Sequence, residues 1–173
     1  VCGGAIESWR DGVACSGCWR EIEQEAVDLC AKCWAPAPSA SSAGRCGRCD
    51  HFAFNVVRSC GPYRGAMREA VLRLKGAPHI PPRLRGALRQ AFDALADSNL
   101  IESIIPTPLH PKRLAERGFN QAEVIARELA ALTGLRVDPT ALIRVKKTEL
   151  HRAGMGARLI AMDETGKINR LED

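Results

Sequence analysis

Leu29–Asp50 reads LCAKCWAPAPSASSAGRCGRCD: two Cys-x-x-Cys pairs, Cys30/Cys33 and Cys46/Cys49, on either side of twelve residues dominated by Ala, Ser, Pro and Gly. The spacing C-x2-C-x12-C-x2-C suits two tight knuckles that converge on one tetrahedral zinc, each supplying two thiolates. Shifting the sequence back by 31 residues lays Cys33 on Cys2, Cys46 on Cys15 and Cys49 on Cys18. The counterpart of Cys30 then falls two positions before Val1. The module therefore reads as an internal repeat. The chain is expected to begin inside the first ribbon, leaving Cys2, Cys15 and Cys18 as an incomplete site that binds metal weakly or recruits water.

Two other uses of paired cysteines compete with zinc. A disulfide framework belongs to oxidising compartments and to small domains with little core. Here no secretion signal is visible and a large basic segment follows. A thioredoxin-like redox couple needs one Cys-x-x-Cys at a strand-to-helix junction, whereas three complete pairs and one truncated pair stand in tandem. The eighth cysteine, Cys60, has no partner at knuckle spacing and is expected to be a small buried hydrophobe.

The whole chain has 173 residues, 46% of them hydrophobic and 26% charged, with a net charge of +5. That length allows one ordinary domain and a small one. No run of about 18 apolar residues is present to span a membrane, and no basic n-region or apolar h-region marks a signal peptide. The expected location is the cytoplasm. Charge is uneven: residues 58–90 hold eight Arg or Lys against one Glu, and residues 106–158 hold ten against five acids. A phosphate-bearing partner would suit these blocks, but charge alone favours solvated helix faces.

Past Asp50 the texture changes. FAFNVVRSCGPY predicts a short strand and a turn. RGAMREAVLRLKG predicts a helix with Met67, Ala70, Val71 and Leu74 inward and Gly76 as its stop, and PPRLRGALRQAFDALADSN a second with Leu84, Leu88, Phe92 and Leu95 on one stripe. LIESIIPTPL predicts a buried strand ending in Pro-Thr-Pro. GFNQAEVIARELAALTGL predicts an amphipathic helix with Ala122, Ile125, Leu129 and Leu132 inward and Gly134 at its end. Strand, polar loop and returning helix open a doubly wound α/β unit, which binds ligands at the carboxyl ends of its strands. In that loop, PTPLHPKRLAERGFNQ, the residues His110, Lys112, Arg113, Arg117 and Gly118 are the candidate phosphate site. Gly118 allows close backbone approach, and the amides of the following helix add anion affinity.

IIPTPLHPKRLAERGFNQAEVIAREL, preceded by LRLKG and by the paired Cys-x-x-Cys ribbons, resembles the ComF family over residues 1 to about 158. That family joins a double zinc ribbon to a type I phosphoribosyltransferase-like domain and is associated with DNA uptake in natural competence. The resemblance implies an α/β fold with a double zinc ribbon at 1–57, its first ribbon truncated, and an incomplete doubly wound phosphoribosyltransferase-like domain at 58–173. It makes Lys112, Arg113 and Arg117 diphosphate contacts. KKTELHRAGMGAR, with Thr148, His151, Arg152 and Arg158, would form a flexible hood over the site. The family continues into an apolar strand, an acidic pair and a Thr-Thr-Gly loop that holds the ribose and 5-phosphate; INRLED is at best a degraded echo of that strand, with Glu172 and Asp173 in the acidic positions.

The implied ligands are structural zinc and phosphoribosyl diphosphate or single-stranded DNA, with magnesium accompanying the diphosphate in the full-length protein and a competence-machinery protein as a further partner. No catalytic residue is assigned, and residues 1–173 are expected to be inactive as a transferase. Two other readings stay open: an active magnesium-dependent phosphoribosyltransferase when full length, and a zinc-ribbon scaffold that binds another protein.

Overall fold

The computed structural model describes residues 2–6, 12–23, 28–37, 44–49, 51–52, 54–95, 101–144 and 158–161, with Glu23 and 158–161 described by backbone alone. Around the cysteines the two repeats differ in local structure. Residues 28–37 form a knuckle closed by an isolated bridge between Leu29 and Pro36. The first repeat instead runs from Cys15 into helix α1 (Ser16–Glu23), so its second cysteine pair sits on a helical turn where a ribbon was expected.

Helix α2 (Gly65–Leu74) buries Ala66, Met67, Ala70 and Leu74. Two alanines on that face let another helix approach closely, and α1 takes the place, with Trp19 and Cys18 inside the same core. Helix α3 (Pro82–Asp93) starts on Pro82, whose missing N–H and fixed φ suit the first helical position. Its Leu84 and Leu88 complete that core, while Phe92 and Leu95 turn into a second one with Leu129. All four members of the predicted α3 stripe are buried. The first core joins Ala14, Cys18 and Trp19 to residues 66–88. Packing therefore runs across the boundary expected at residue 57.

Strand β1 (Val56–Ser59) pairs antiparallel with β4 (Arg158–Ala161), Val56 opposite Ala161 and Ser59 opposite Arg158. Strand β2 (Ser103–Ile104) pairs parallel with β3 (Arg136–Val137). Between them come the short helix α4 (Pro111–Arg117) and helix α5 (Gln121–Thr133). Strand, helices and parallel strand make one crossover unit of mixed α/β type with a small parallel sheet. β2 is shorter and less enclosed than LIESIIPTPL predicts: Ser103 and Ile104 are half-buried and Ile105 is exposed. The α5 stripe is also rotated slightly, with Ala126 and Leu129 buried and Ala122, Ile125 and Leu132 half-buried. The reason is its one-sided support. α5 rests on α3, where Arg85 pairs with Glu128 at 2.5 Å and Arg89 Nη1 donates to the Leu132 carbonyl at 2.8 Å. No helix of the described residues is long and apolar enough to cross a membrane.

Candidate metal centres and anion cleft

The sulfurs of Cys30, Cys33, Cys46 and Cys49 lie within 4.8 Å of one another, and so do those of Cys2, Cys15 and Cys18. In the four-cysteine group, Cys30–Cys49 and Cys33–Cys46 are 3.6 Å apart and Cys46–Cys49 is 3.7 Å. A tetrahedral Zn–S bond of about 2.3 Å implies sulfur–sulfur edges of about 3.8 Å. Those three edges are thus close to the size such an ion needs. All eight cysteines are free thiols, so the disulfide framework is absent.

The 31-residue repeat is visible in this geometry. Cys2 and Cys15 are 3.5 Å apart, matching Cys33 and Cys46 at 3.6 Å. The Gly4 amide donates to Cys2 Sγ at 3.3 Å, and the Ala35 amide acts on Cys33 at the repeat-related position. In the second centre the Cys46 amide donates to Cys30 Sγ at 3.3 Å. Such N–H···S contacts favour thiolate, the form that binds metal. Burial works against charge on Cys30, yet the amides of Cys33, Cys46 and Lys32 outweigh it and bring the thiol down to about 6. Burial, then the neighbouring thiols of Cys30, Cys46 and Cys33, push Cys49 up to about 12. A set of close thiols cannot all ionise without a cation between them. In the first centre the contact with Cys2, then burial, raises Cys18 to about 11. Cys60 belongs to neither centre. It packs beside the first core but is half-buried, less enclosed than the buried hydrophobe expected, and burial raises its thiol to about 12.

The loop after β2 is only partly a loop. His110 caps α4 through Nδ1, which accepts the Lys112 amide at 3.3 Å, and Gly118 ends it at φ 80°. An open cleft of about 310 Å³ lies against this helix, lined by Lys75, Gly76, Arg113, Glu116 and Arg117. Of the five residues expected to meet phosphate, Arg113 and Arg117 are in its wall. His110, Lys112 and Gly118 are outside it, since the first and last cap the helix and Lys112 is exposed beyond the lining. The start of α5 does not offer the free amides expected of it. Asn120 Oδ1 accepts the Ala122 amide at 3.0 Å while its Nδ2 donates to the Thr107 carbonyl, also at 3.0 Å. Glu123 adds negative charge to that first turn.

Lys75 escaped the sequence reading because it lies 38 positions before Arg113, at the end of α2. Only the LRLKG turn hinted at it. Arg117 is steadied by donating Nη1 to Gln121 Oε1, while Lys75 and Arg113 form no ion pair among the described residues. Three cations against one carboxylate give the cleft a net positive lining; Arg can offer paired, planar hydrogen bonds and Lys a point charge. Thr148, His151 and Arg152 of the expected hood lie outside the described residues, as do Glu172 and Asp173. Arg158 opens β4 at the β1 edge, its backbone opposite Ser59.

Fold and sites together define a mixed α/β protein with two thiolate clusters able to hold metal, compatible with zinc, and one basic cleft. Set against protein-family models, curated proteins and solved structures, the chain finds no significant match.

Proposed function

We propose that this is a ComF-like protein in which structural zinc organises an N-terminal cysteine module and a phosphoribosyltransferase-like α/β domain binds phosphoribosyl diphosphate or single-stranded DNA during DNA uptake. One observation carries the reading: Lys75, from the turn after α2, meets Arg113 and Arg117, from the helix after β2, around one cleft. Helix α4, which lines the cleft, follows in sequence a strand of a parallel pair, and α/β units place ligands past the carboxyl ends of such strands. Both ligands present the same phosphate chemistry. Arg113 and Arg117 would grip adjacent oxygens, and Lys75 would neutralise a phosphate from the opposite wall.

Magnesium fits the cleft on one count, since Glu116 is a carboxylate in its wall, and a magnesium ion typically takes one or two carboxylates with substrate phosphates. When bound it would offset charge on a departing diphosphate. For transfer, the ribose and its 5-phosphate must also be held in near-attack geometry. Lys75, Arg113 and Arg117 are candidates for the diphosphate end, so binding is the activity proposed for this cleft. Zinc would be held by Cys30, Cys33, Cys46 and Cys49, and in the first repeat by Cys2, Cys15 and Cys18.

The test is titration of the protein with inorganic pyrophosphate, phosphoribosyl diphosphate and a labelled oligo(dT), for the parent and for Arg113→Ala/Arg117→Ala. The double variant should weaken binding of all three and flatten the salt dependence for oligo(dT), each lost phosphate contact removing about 0.7 from the log–log slope. Tight binding of phosphoribosyl diphosphate over oligo(dT) would select the small ligand, and the reverse order the polymer. Equal affinity in parent and variant would reduce the cations to a solvated surface.

A further inference from the structure

Among the described residues, Arg58 is the one charged side chain that is buried, at 7% exposure. Burying a lone cation is costly unless charge and hydrogen bonds compensate it. The hydrogen bonds are present. Nε donates to the Ala94 carbonyl at the end of α3 at 2.7 Å, and Nη1 donates to the carbonyls of Ala31 and Val57, both at 2.9 Å. The guanidinium also lies over the Trp34 ring, 4.5 Å from its centroid. A carboxylate is not: none of the described residues forms an ion pair with Arg58.

The contacts point to where the counter-charge is. Ala31 lies inside the Cys30–Cys33 knuckle and Trp34 directly follows it, so the guanidinium sits against the second thiolate centre. Zinc held by four thiolates has a net charge of about −2. Burial lowers the basicity of Arg58. The same knuckle is fastened to β1 by backbone as well, the Val57 amide donating to the Lys32 carbonyl at 2.7 Å. Trp34 is held in the left-handed region, φ 59°, the only non-glycine residue so placed among those described. A tryptophan pays for that conformation only where its surroundings hold it, and the Arg58 stack is one such hold.

We propose that Arg58 is the counter-cation and clamp of the second thiolate centre, so that metal bound at Cys30, Cys33, Cys46 and Cys49 fixes β1 and the end of α3, and metal loss releases both. Three elements distant in sequence meet at one guanidinium: the knuckle through Ala31, β1 through Val57, and α3 through Ala94. The effect reaches the α/β crossover unit, because Phe92 and Leu95 beside Ala94 pack on Leu129 of α5 and, through the same core, beside Ile104 of β2. Arg58 thereby makes a local metal equilibrium a property of the neighbouring domain. This inference rests on the metal centre and is independent of the ligand of the basic cleft.

Hydrogen exchange of the zinc-loaded full chain, followed before and after treatment with a zinc chelator, reads the coupling directly. Zinc removal should speed exchange at Val57 and at Ala94–Leu95. Unchanged exchange at Ala94–Leu95 in the parent protein would overturn the proposal without any variant. Arg58→Met keeps most of the volume and removes the charge; it should weaken zinc binding at the second centre roughly 10- to 100-fold, the usual effect of losing an outer partner of a metal ligand, and leave Ala94–Leu95 exchange independent of zinc. Arg58→Lys keeps the charge but not the fork, and should restore zinc affinity to within a few-fold while leaving Ala94–Leu95 uncoupled. Parent-like affinity and coupling in Arg58→Met would also refute the clamp.

Discussion

At the scale of single residues, the cysteines divide by environment. Replacing Cys30 or Cys33 with Ser removes one of four sulfurs from a cage with edges of 3.6–3.7 Å, so metal analysis should show loss of one tightly held zinc, and a variant that keeps it would exclude the four-thiolate site. Cys60 should behave in the opposite way to a metal ligand. With its thiol at about 12, it should resist alkylation at pH 8 in the folded chain and react readily in denaturant. The linkage has a definite sign. Below the unfolded thiol value of about 8.5 both states keep the proton and stability is unaffected. As pH rises from there towards about 12 the unfolded chain ionises first, so folding stability should fall. Denaturant melts at pH 8 and pH 10 should show a larger fall for the parent than for Cys60→Ala, and parallel falls would mean that this thiol is open to water.

Among the elements, helix ends and stripes give separable predictions. Leu88 is 1% exposed in the core shared by α1, α2 and α3, so Leu88→Ala should cost about 2–5 kcal/mol in denaturant melts. Gly134 ends α5 at φ 78° with nothing within 4 Å of where a Cβ would stand. Gly134→Ala therefore meets no clash, and its cost, about 1–2 kcal/mol, is that of a left-handed backbone alone; a neutral result would show that the terminus shifts to another cap. The α2 and α3 stripes were legible, and α5 was legible as a helix though not in which face it buries, because burial on one side writes a 3.6-residue period into the sequence. α4 was not: its seven residues bury none of their side chains, so no apolar period marks it. Its signature lies in the cap residues, His110 before Pro111 and Gly118 after Arg117, and prolines in a basic segment read first as loop.

For the whole molecule, two cysteine groups able to hold metal predict metal-dependent stability. The first centre shares its core with α2 and α3 through Cys18 and Trp19, and the second is tied to β1 and α3. A chelator should therefore lower the melting temperature of the entire described fold and not only of residues before 57, and acidification should do the same as protons compete for sulfur. Equal melting curves with and without chelator would contradict this. The sequence by itself determined the cysteine ligand groups and their 31-residue repeat, because metal geometry demands fixed local spacing. It also determined the α3 stripe and the Gly134 stop, since both are set within a few turns of chain. Only the tertiary structure decided that Lys75 joins Arg113 and Arg117, that α1 and α2 share one core across residue 57, and that Arg58 bridges knuckle, strand and helix. Those contacts join residues tens of positions apart, and no local period or spacing records a meeting made by the packing of separate elements.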